Sequence, residues 1–570
     1  MDLGRSIVPK LALAVVVLIL ISNILFIRRD YQDSWILEGL EFPFILFVLT
    51  YVAVFFSEKK ISTMIALGII GRIIFLLVPS LKYIWFQGVW IDQHQQYALA
   101  SYVVDHGRII HGIEAFGAKV YSSTPSVHLA FSIFSIVPDI PVAEALKYLP
   151  VFLAPLYPLL TYFILVRMKM PFKTTGLRYA LFISSIPLSE GQYLVTGHLF
   201  SGLLVLLILS CFVALFYGND RRYLLLLVIL IIVLATAHSS SSLLLVASLL
   251  AVMLLQKVNF FRIESYKMSS IILLNFTACI AWLSFPARFT LESILKVLVF
   301  RVPSGMTPKS GAVPVRFFEL LRTDVFSSFQ VLLVQHGADA LLLLLTLVGL
   351  VILLRSWRKI GDATKFFCIF VIPLFVFMGV GILLKVGAFR PLFFIHLTFP
   401  IFFAVFILHV NRRQTKWIPT MIFSVMVSLV ILQLYPCQPL VPSANVLSLD
   451  LSADEPLFYA TEVNSIYQRD MIFFASNHIM KGRIACDRIT RNQILGLAGY
   501  DYWVSYKIDY YPIDKNQTER QYEFFLTHLP GASGRFQEPV EIRTKSLILS
   551  TIYNSSVIYT NGESFILTDG

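Results

Sequence analysis

Long apolar stretches, broken by short polar segments, run along the chain to about residue 435. About 20 apolar residues in a helix cross a hydrocarbon core of roughly 30 Å, and a helix satisfies its own backbone there. The pattern therefore predicts an all-α membrane bundle of about thirteen transmembrane helices. The predicted spans are 9–27, 40–56, 61–79, 143–166, 177–194, 201–217, 223–238, 239–256, 269–285, 338–354, 365–384, 391–410 and 417–435. The first has too long an apolar core for a cleaved signal peptide and is predicted to be an anchor.

Composition agrees with this pattern. Of 570 residues, 57% are hydrophobic and 14% are charged, whereas soluble domains are about 25% charged. The net charge of +12 is accounted for by Lys and Arg beside anionic headgroups. Nothing resembles the basic and aromatic pattern of an RNA or DNA reader, so nucleic acid is not a predicted partner.

One apolar segment, 126–138, decides the topology, because it is too short to cross the bilayer unaided. With this segment uncounted and the N-terminus inside, every predicted cytoplasmic loop carries Lys or Arg, as the positive-inside rule requires. The residues concerned are Lys59, Lys60, Arg167, Lys169, Lys173, Arg221, Arg222, Lys257, Arg262, Lys267, Arg355, Arg358, Lys359, Arg412, Arg413 and Lys416. The bundle of residues 1–436 then has outer loops at 80–125 and 286–337.

The tail, residues 437–570, is predicted to be a small extracytoplasmic α/β domain. The segment 462–480 has helical spacing, 483–487 suggests a strand, and 546–567 reads as a strand pair around Asn561 and Gly562. Cys211, Cys279 and Cys368 lie within spans and are predicted to be small apolar residues. Whether Cys437 pairs with Cys486 stays open.

The segment "WIDQHQQYALASYVVDHGRI" (90–109) follows a predicted span that ends at Pro79, yet it is polar. Its spacing predicts a helix over 92–106 with Gly107 as the C-cap. Asp92 has two interpretations. It can N-cap this helix, with Gln95 completing a capping box, or it can act as a base at the outer membrane surface.

These features resemble the GT-C glycosyltransferases, in particular the archaeal and bacterial relatives of protein O-mannosyltransferases and aminoarabinose transferases. The resemblance rests on "DQHQQYA" (92–98), Gly107, "YSSTPSVHL" (121–129), the long outer loop and the external tail. It covers most of the chain. Two departures matter: Gln93 and His94 replace a second acid, and the oligosaccharyltransferase signature WWDYG is absent, since "GYDYWV" (499–504) has a different order.

The resemblance implies an inverting transfer of one sugar from a polyprenyl- or dolichyl-phosphate donor to an acceptor outside the cytoplasm. Asp92 would be the general base, and the acceptor could be protein, lipid or glycan. The missing second acid gives no support for a divalent cation, so no metal ligand is predicted. Transfer of a whole oligosaccharide to protein is disfavoured.

Basic and polar residues complete the candidate site. Arg390, Lys385 and Arg301 are predicted to bind the donor phosphate, although snorkelling to headgroups explains such residues equally well. His94, Tyr97, His198, His238 and Arg72 are candidates for the acceptor cavity. Arg72 lies within a span, where a charge needs a partner, and we expect either a bundle carboxylate or the substrate to supply it.

Two other classes of function remain open. A polytopic transporter or flippase of lipid-linked glycans would also carry polar residues in its spans, although no internal duplication of the kind found in transporters is evident. The incomplete acidic motif also fits a catalytically inactive GT-C-like scaffold.

Overall fold

The computed structural model describes residues 38–58, 60–82, 91–109, 124–168, 174–187, 197–217, 221–257, 265–284, 287–288, 291, 341–383, 389–412, 474–475, 477–478, 483–486, 507–510, 524–528, 556–560 and 564–568. The predicted spans 9–27 and 417–435, and nearly all of the loop 286–337, lie outside these residues. The chain forms two compact units. The first comprises Met1–Lys82, Tyr148–Phe285 and Leu291–Leu440, and the second comprises Tyr83–Lys147, Pro286–Thr290 and Val441–Gly570.

The helices match most of the apolar stretches to within a few residues. In chain order they are α1 (Glu38–Ser57), α2 (Ile61–Lys82), α3 (Ile91–His106), α4 (Pro125–Ile136), α5 (Val142–Leu153), α6 (Leu156–Arg167), α7 (Thr174–Ser184), α8 (Gly197–Tyr217), α9 (Arg221–Ala237), α10 (Ser239–Lys257), α11 (Ser265–Ser284), α12 (Leu341–Arg355), α13 (Asp362–Leu383) and α14 (Phe389–Arg412). Helix α2 continues three residues beyond its predicted end at Pro79.

Several of these helices are those of a membrane protein. Within the described residues, Val142–Arg167, Asp362–Gly379 and Pro391–Leu408 are long and apolar enough to cross a bilayer, and eight further apolar helices are shorter. Helix α9 leaves Leu225 64%, Ile229 49% and Ile232 46% exposed, as expected of side chains that face lipid. Helix α4 has 12 residues and is about 18 Å long at 1.5 Å per residue, too short to cross alone.

Small residues allow the helices of the first unit to approach closely. A Cβ added at Gly349 on α12 would lie 2.5 Å from the main-chain oxygen of Phe402 on α14, so only glycine fits this crossing. Elsewhere Tyr51 packs on Phe47 and Phe182 with ring centroids 5.5 and 5.6 Å apart. The three cysteines predicted to be apolar, Cys211, Cys279 and Cys368, are buried and unpaired.

One predicted span is wrong in extent. The apolar pattern predicted a helix over 177–194, but α7 ends at Ser184 and residues 185–187 are not helical. Pro187 explains the break, since proline lacks an N–H and disfavours helical backbone in the residue before it. The span predicted at 143–166 consists of α5 and α6 with Pro155 at their junction, and Val142–Arg167 as a whole is long and apolar enough to cross a bilayer.

The tail contains a five-stranded mixed sheet. Its strands are β1 (Arg483–Cys486), β2 (Lys507–Tyr510), β3 (Phe524–His528), β4 (Ser556–Thr560) and β5 (Ser564–Thr568), in the spatial order β2-β1-β3-β5-β4. Strand β1 pairs in parallel with β2 and β3, and β5 pairs antiparallel with β3 and β4. The strand predicted at 483–487 and the predicted pairing around Asn561 and Gly562 are confirmed, whereas "GYDYWV" (499–504) lies outside the described residues.

Candidate functional site

Helix α3 carries the predicted catalytic acid. The helix begins at Ile91, so Asp92 lies in its first turn and is not the N-cap. The predicted C-cap is confirmed: Gly107 has φ +66° and its N–H donates to the Val103 carbonyl at 2.9 Å. The positive φ is one that glycine adopts without strain. The side chains of Asp92 and His94 lie outside the described part of the structure.

Helix α3 packs against α4 in the second unit. Ala98, Leu99 and Ala100 of α3 are buried, as are Val127 and Phe131 of α4. The Ser132 hydroxyl of α4 lies 3.0 Å from the Ala100 carbonyl and 2.7 Å from the His128 carbonyl, and both oxygens accept from it. This contact holds the helix that positions Asp92.

Gln96 is a polar residue at this packing surface that the sequence reasoning missed. It is fully buried, and neither its amide nitrogen nor its amide oxygen has a hydrogen-bond partner among the described residues. Leaving such groups unpaired costs about 1–3 kcal/mol. The available signal was its spacing, since Gln96 follows Asp92 by four residues and shares its helix face.

Tyr97, a predicted cavity residue, is partly buried on α3. Burial raises the pKa of its hydroxyl, a hydrogen bond with Ser101 lowers that pKa, and the charge of Asp105 raises it. The phenol is therefore neutral at physiological pH and can donate a hydrogen bond.

Arg72 is fully buried in the first unit, where main-chain carbonyls and an aromatic ring contact it. Its Nη1 donates to the carbonyls of Ser184 at 2.8 Å and Ile186 at 3.3 Å. Its guanidinium carbon lies 3.8 Å from the centroid of the Tyr157 ring. These carbonyls belong to the broken C-terminus of α7, which cannot bond them within the helix. Among the described residues, main-chain carbonyls and an aromatic ring thus contact Arg72 and hold its side chain in place.

His238 lies at the junction of α9 and α10 and caps the latter. Its Nδ1 accepts from the main-chain N–H of Ser241 at 3.3 Å and lies 2.6 Å from the Ser241 hydroxyl. A Cβ added at Gly197, the first residue of α8, would lie 3.0 Å from His238 Cδ2. The structure thus brings His238 to the helix end that carries His198, whose own side chain is not described.

Two further buried polar groups lie on α10, which begins at this junction, and on α11. The Ser242 hydroxyl donates to Asn275 Oδ1 at 3.2 Å, which links α10 to α11. The Asn275 amide nitrogen and the Ser239 hydroxyl are buried and have no hydrogen-bond partner within the described residues. Neither Asn275 nor Ser239 is among the candidates predicted from the sequence, in which the polar run 238–242 was the available signal.

The side chains of the other predicted phosphate ligands are not among those that the structure describes. Arg390 is the second residue of α14, but its side chain is not described, and Lys385 and Arg301 lie outside the described residues. Within the described part of the chain, no group of three His, Cys, Asp or Glu residues could hold a metal ion.

Comparison with known proteins gives matches only among solved structures. No protein-family model matches the chain, and no curated protein does. A crystal structure of the Archaeoglobus fulgidus oligosaccharyltransferase in complex with zinc and sulfate has 10% sequence identity and a TM-score of 0.53, covering 89% of this chain and 73% of that one.

A structure of the archaeal oligosaccharyltransferase AglB from Archaeoglobus fulgidus, with an inhibitory peptide and a dolichol-phosphate, has 11% identity and a TM-score of 0.49. That match covers 89% of this chain and 74% of the other. At these identities the likeness concerns the fold. The resemblance to GT-C glycosyltransferases is therefore confirmed at the level of fold: this chain is folded like an archaeal oligosaccharyltransferase.

Proposed function

We propose that this protein is a membrane glycosyltransferase that uses a polyprenyl- or dolichyl-phosphate-linked sugar outside the cytoplasm. The observation that carries the proposal is the oligosaccharyltransferase fold over 89% of the chain. An acidic residue in the first turn of α3 supports it. In this proposal the N-terminus is cytoplasmic, about thirteen helices span the membrane, and the tail is an extracytoplasmic α/β domain.

Asp92 is the general base of the proposed reaction. The acceptor hydroxyl attacks the anomeric carbon and its proton passes to the Asp92 carboxylate. The bond between the anomeric carbon and the phosphate oxygen breaks, its electron pair leaves with the lipid phosphate, and the configuration inverts. A positioned base of this kind contributes about 10²–10⁴ in rate.

The lipid phosphate leaves as an anion and needs cations or hydrogen-bond donors. Arg390, Lys385 and Arg301 are proposed to supply charge. His94, Tyr97 and His198 are proposed to contact the acceptor, with the neutral Tyr97 hydroxyl as a donor to it.

The size of the transferred glycan separates two versions of the function. We propose transfer of a single sugar, because the WWDYG signature is absent from the sequence. The fold of an oligosaccharyltransferase favours the second candidate, transfer of a whole lipid-linked oligosaccharide. The mass added to the acceptor distinguishes them.

The test uses purified protein and radiolabelled polyprenyl-phosphate sugars. Label should move to water or acceptor with wild-type protein and with Asp105→Asn, which removes an exposed acid from the same helix. Asp92→Asn should lose about 10²–10⁴ of that rate. Equal rates for the two variants would refute the role of Asp92. If wild-type protein binds the donor without turnover, the protein is the inactive scaffold. If it moves intact donor across the vesicle membrane, it is the flippase.

Cysteine accessibility tests the proposed topology separately. Cysteines placed near 170 and 220 should react only from inside the cell and one near 515 only from outside. Labelling at 515 from the inside alone would overturn the external tail.

A further inference from the structure

Helix α4 reverses the arrangement of polar and apolar side chains that a helix has at a protein–water boundary. It buries polar residues and exposes large aliphatic ones at its C-terminal end. The buried polar residues are His128, Ser132 and Ser135 at 0%, 1% and 4% exposed, and the exposed aliphatic residues are Ile133, Ile136 and, just after the helix, Val137 at 59%, 57% and 79%. In water a helix exposes its polar side. The outward face of α4 therefore suits an apolar surrounding.

No charge accompanies this exposed face. Helix α4, Pro125–Ile136, contains no Asp, Glu, Lys or Arg, and the first charged residue after it is Asp139. Exposed apolar side chains that are grouped together, and not scattered singly, mark a surface that contacts another molecule or a membrane.

A hydrogen-bonded turn joins this surface to a candidate membrane span. The Ile140 N–H donates to the Ser135 carbonyl at 3.0 Å, and the Ser135 hydroxyl donates to the Ile140 carbonyl at 2.6 Å. Helix α5 then begins at Val142, and Val142–Arg167 is long and apolar enough to cross a bilayer. Because Ser135 and Ile140 are bonded to each other, the exposed end of α4 stays close to the start of that span.

Lipid acyl chains are the occupant that these features favour. Helix α4 is too short to cross the bilayer alone, and a helix that lies in the interface buries its apolar face about 5–10 Å into the boundary between headgroups and acyl chains. Since the turn ties α4 to the start of a span, lipid is beside this face at all times, whereas another protein would have to reach it.

The same helix also holds α3. The Ser132 hydroxyl donates to the Ala100 carbonyl at 3.0 Å, from the face of α4 opposite to the exposed aliphatic residues. Asp92 lies about 12 Å before Ala100 along α3, at 1.5 Å per residue. Lipid contact on one face of α4 therefore sets the position of α3 relative to the bilayer.

We propose that Ile133, Ile136 and Val137 insert into the lipid leaflet on the side of the membrane where sugar transfer takes place. The choice of leaflet rests on the proposed function. In this inference α4 is an interfacial helix that holds α3, and with it Asp92, at the membrane surface where a lipid-linked phosphate lies.

The test places a spin label at single cysteines in the full-length, otherwise cysteine-free protein in nanodiscs. The labelled positions on the proposed surface are 133, 136 and 137. Ile229, exposed on the apolar helix α9, gives the lipid reference, and Asp105, exposed on α3, gives the water reference. Oxygen concentrates in lipid and a nickel chelate in water, so the ratio of oxygen to nickel accessibility at the three positions should match that at 229 and exceed that at 105.

Three positions keep the inference testable if one variant does not fold. A ratio like that at 105 at every folded position would overturn the inference, because the face would then meet water. Protection of these positions from both reagents would also overturn it, because a protein would then cover the face.

A cysteine at Pro138, which is exposed in the turn after α4, tests the leaflet. It should react with a membrane-impermeant thiol reagent added outside intact cells. Reaction from the inside alone would overturn the inference. Lipid contact and outside reaction in a wild-type protein that transfers no sugar would instead refute the proposed function and leave the membrane contact of α4 standing.

Discussion

Two buried polar regions of the membrane bundle differ in what their donor groups contact. The Arg72 guanidinium donates to two carbonyls and stacks on the Tyr157 ring, so both ends of the interaction lie within the protein. At the junction near His238, the Ser239 hydroxyl and the Asn275 nitrogen have no partner among the described residues. The Arg72 side chain is therefore fixed by contacts within the bundle, whereas these two donors contribute no described hydrogen bond to it.

Among the buried polar side chains, the largest effect on stability is expected at Arg72. Arg72→Met leaves the Ser184 and Ile186 carbonyls unpaired at the end of α7 and should lower the free energy of unfolding by roughly 2–4 kcal/mol. Thermal unfolding in detergent measures the change. Arg167→Met, which removes an exposed arginine from the end of α6, should unfold close to wild type. A similar loss in both variants would mean that removing any arginine lowers the free energy of unfolding, and that the hydrogen bonds of Arg72 to the end of α7 are not the cause.

A smaller effect is expected from the aromatic side of the same contact. Tyr157→Leu removes the ring over Arg72 and should cost about 2 kcal/mol. Tyr157→Phe keeps the ring, and the buried Tyr157 hydroxyl has no partner within the described residues, so this variant should be as stable as wild type or slightly more stable. Greater destabilisation by Phe than by Leu would contradict a cation–π contact.

Gln96 is a third buried polar residue, and it lies where α3 packs against α4. Gln96→Leu should leave stability unchanged or raise it by up to roughly 1–3 kcal/mol, because it removes buried unpaired groups, while the rate of sugar transfer falls. Leu99→Ala, at the same packing surface, should instead lower stability by about 2–5 kcal/mol. Melting curves and transfer assays on the same preparations separate the two effects. Full activity in a stabilised Gln96→Leu variant would assign Gln96 no functional role.

The smallest effect on stability is expected at the junction itself. Ser239→Ala should change the free energy of unfolding by less than about 0.5 kcal/mol, as is usual when no contact is lost. Unfolding in detergent checks this. A loss above 1 kcal/mol on the same scale would reveal an intramolecular partner and make the junction resemble the surroundings of Arg72.

Sequence periodicity predicted the fold better than it predicted the polar contacts. The apolar stretches located most helices, and Gly107 was recognised because a helical pattern ending in glycine is a local signal. The end of α7 was missed because the predicted span was continued to residue 194, across Pro187 and the polar residues Ser189, Glu190 and Gln192. Its carbonyls are bonded by Arg72, 112 residues away, and no local pattern reports such a partner.

The candidate site shows the same division. Asp92 was singled out from its position on a polar helix behind a span. Gln96, Ser239 and Asn275 were missed as candidates because their significance depends on burial and on missing partners, which only packed helices define. Arg72 was singled out correctly as costly within a span, but its partner was expected to be an acid, since sequence patterns do not show main-chain carbonyls.

The rate of sugar transfer as a function of donor concentration tests the account most directly, on wild type, Asp92→Asn and the control Asp105→Asn. A base that acts in the transition state lowers the rate at every concentration when removed, so Asp92→Asn should stay about 10²–10⁴ below wild type at saturation. Asp105→Asn should follow the wild-type curve at every donor concentration, because it removes an exposed acid of the same helix that the proposed reaction does not use. An Asp92→Asn rate that rises to the wild-type value at high donor concentration would contradict the account.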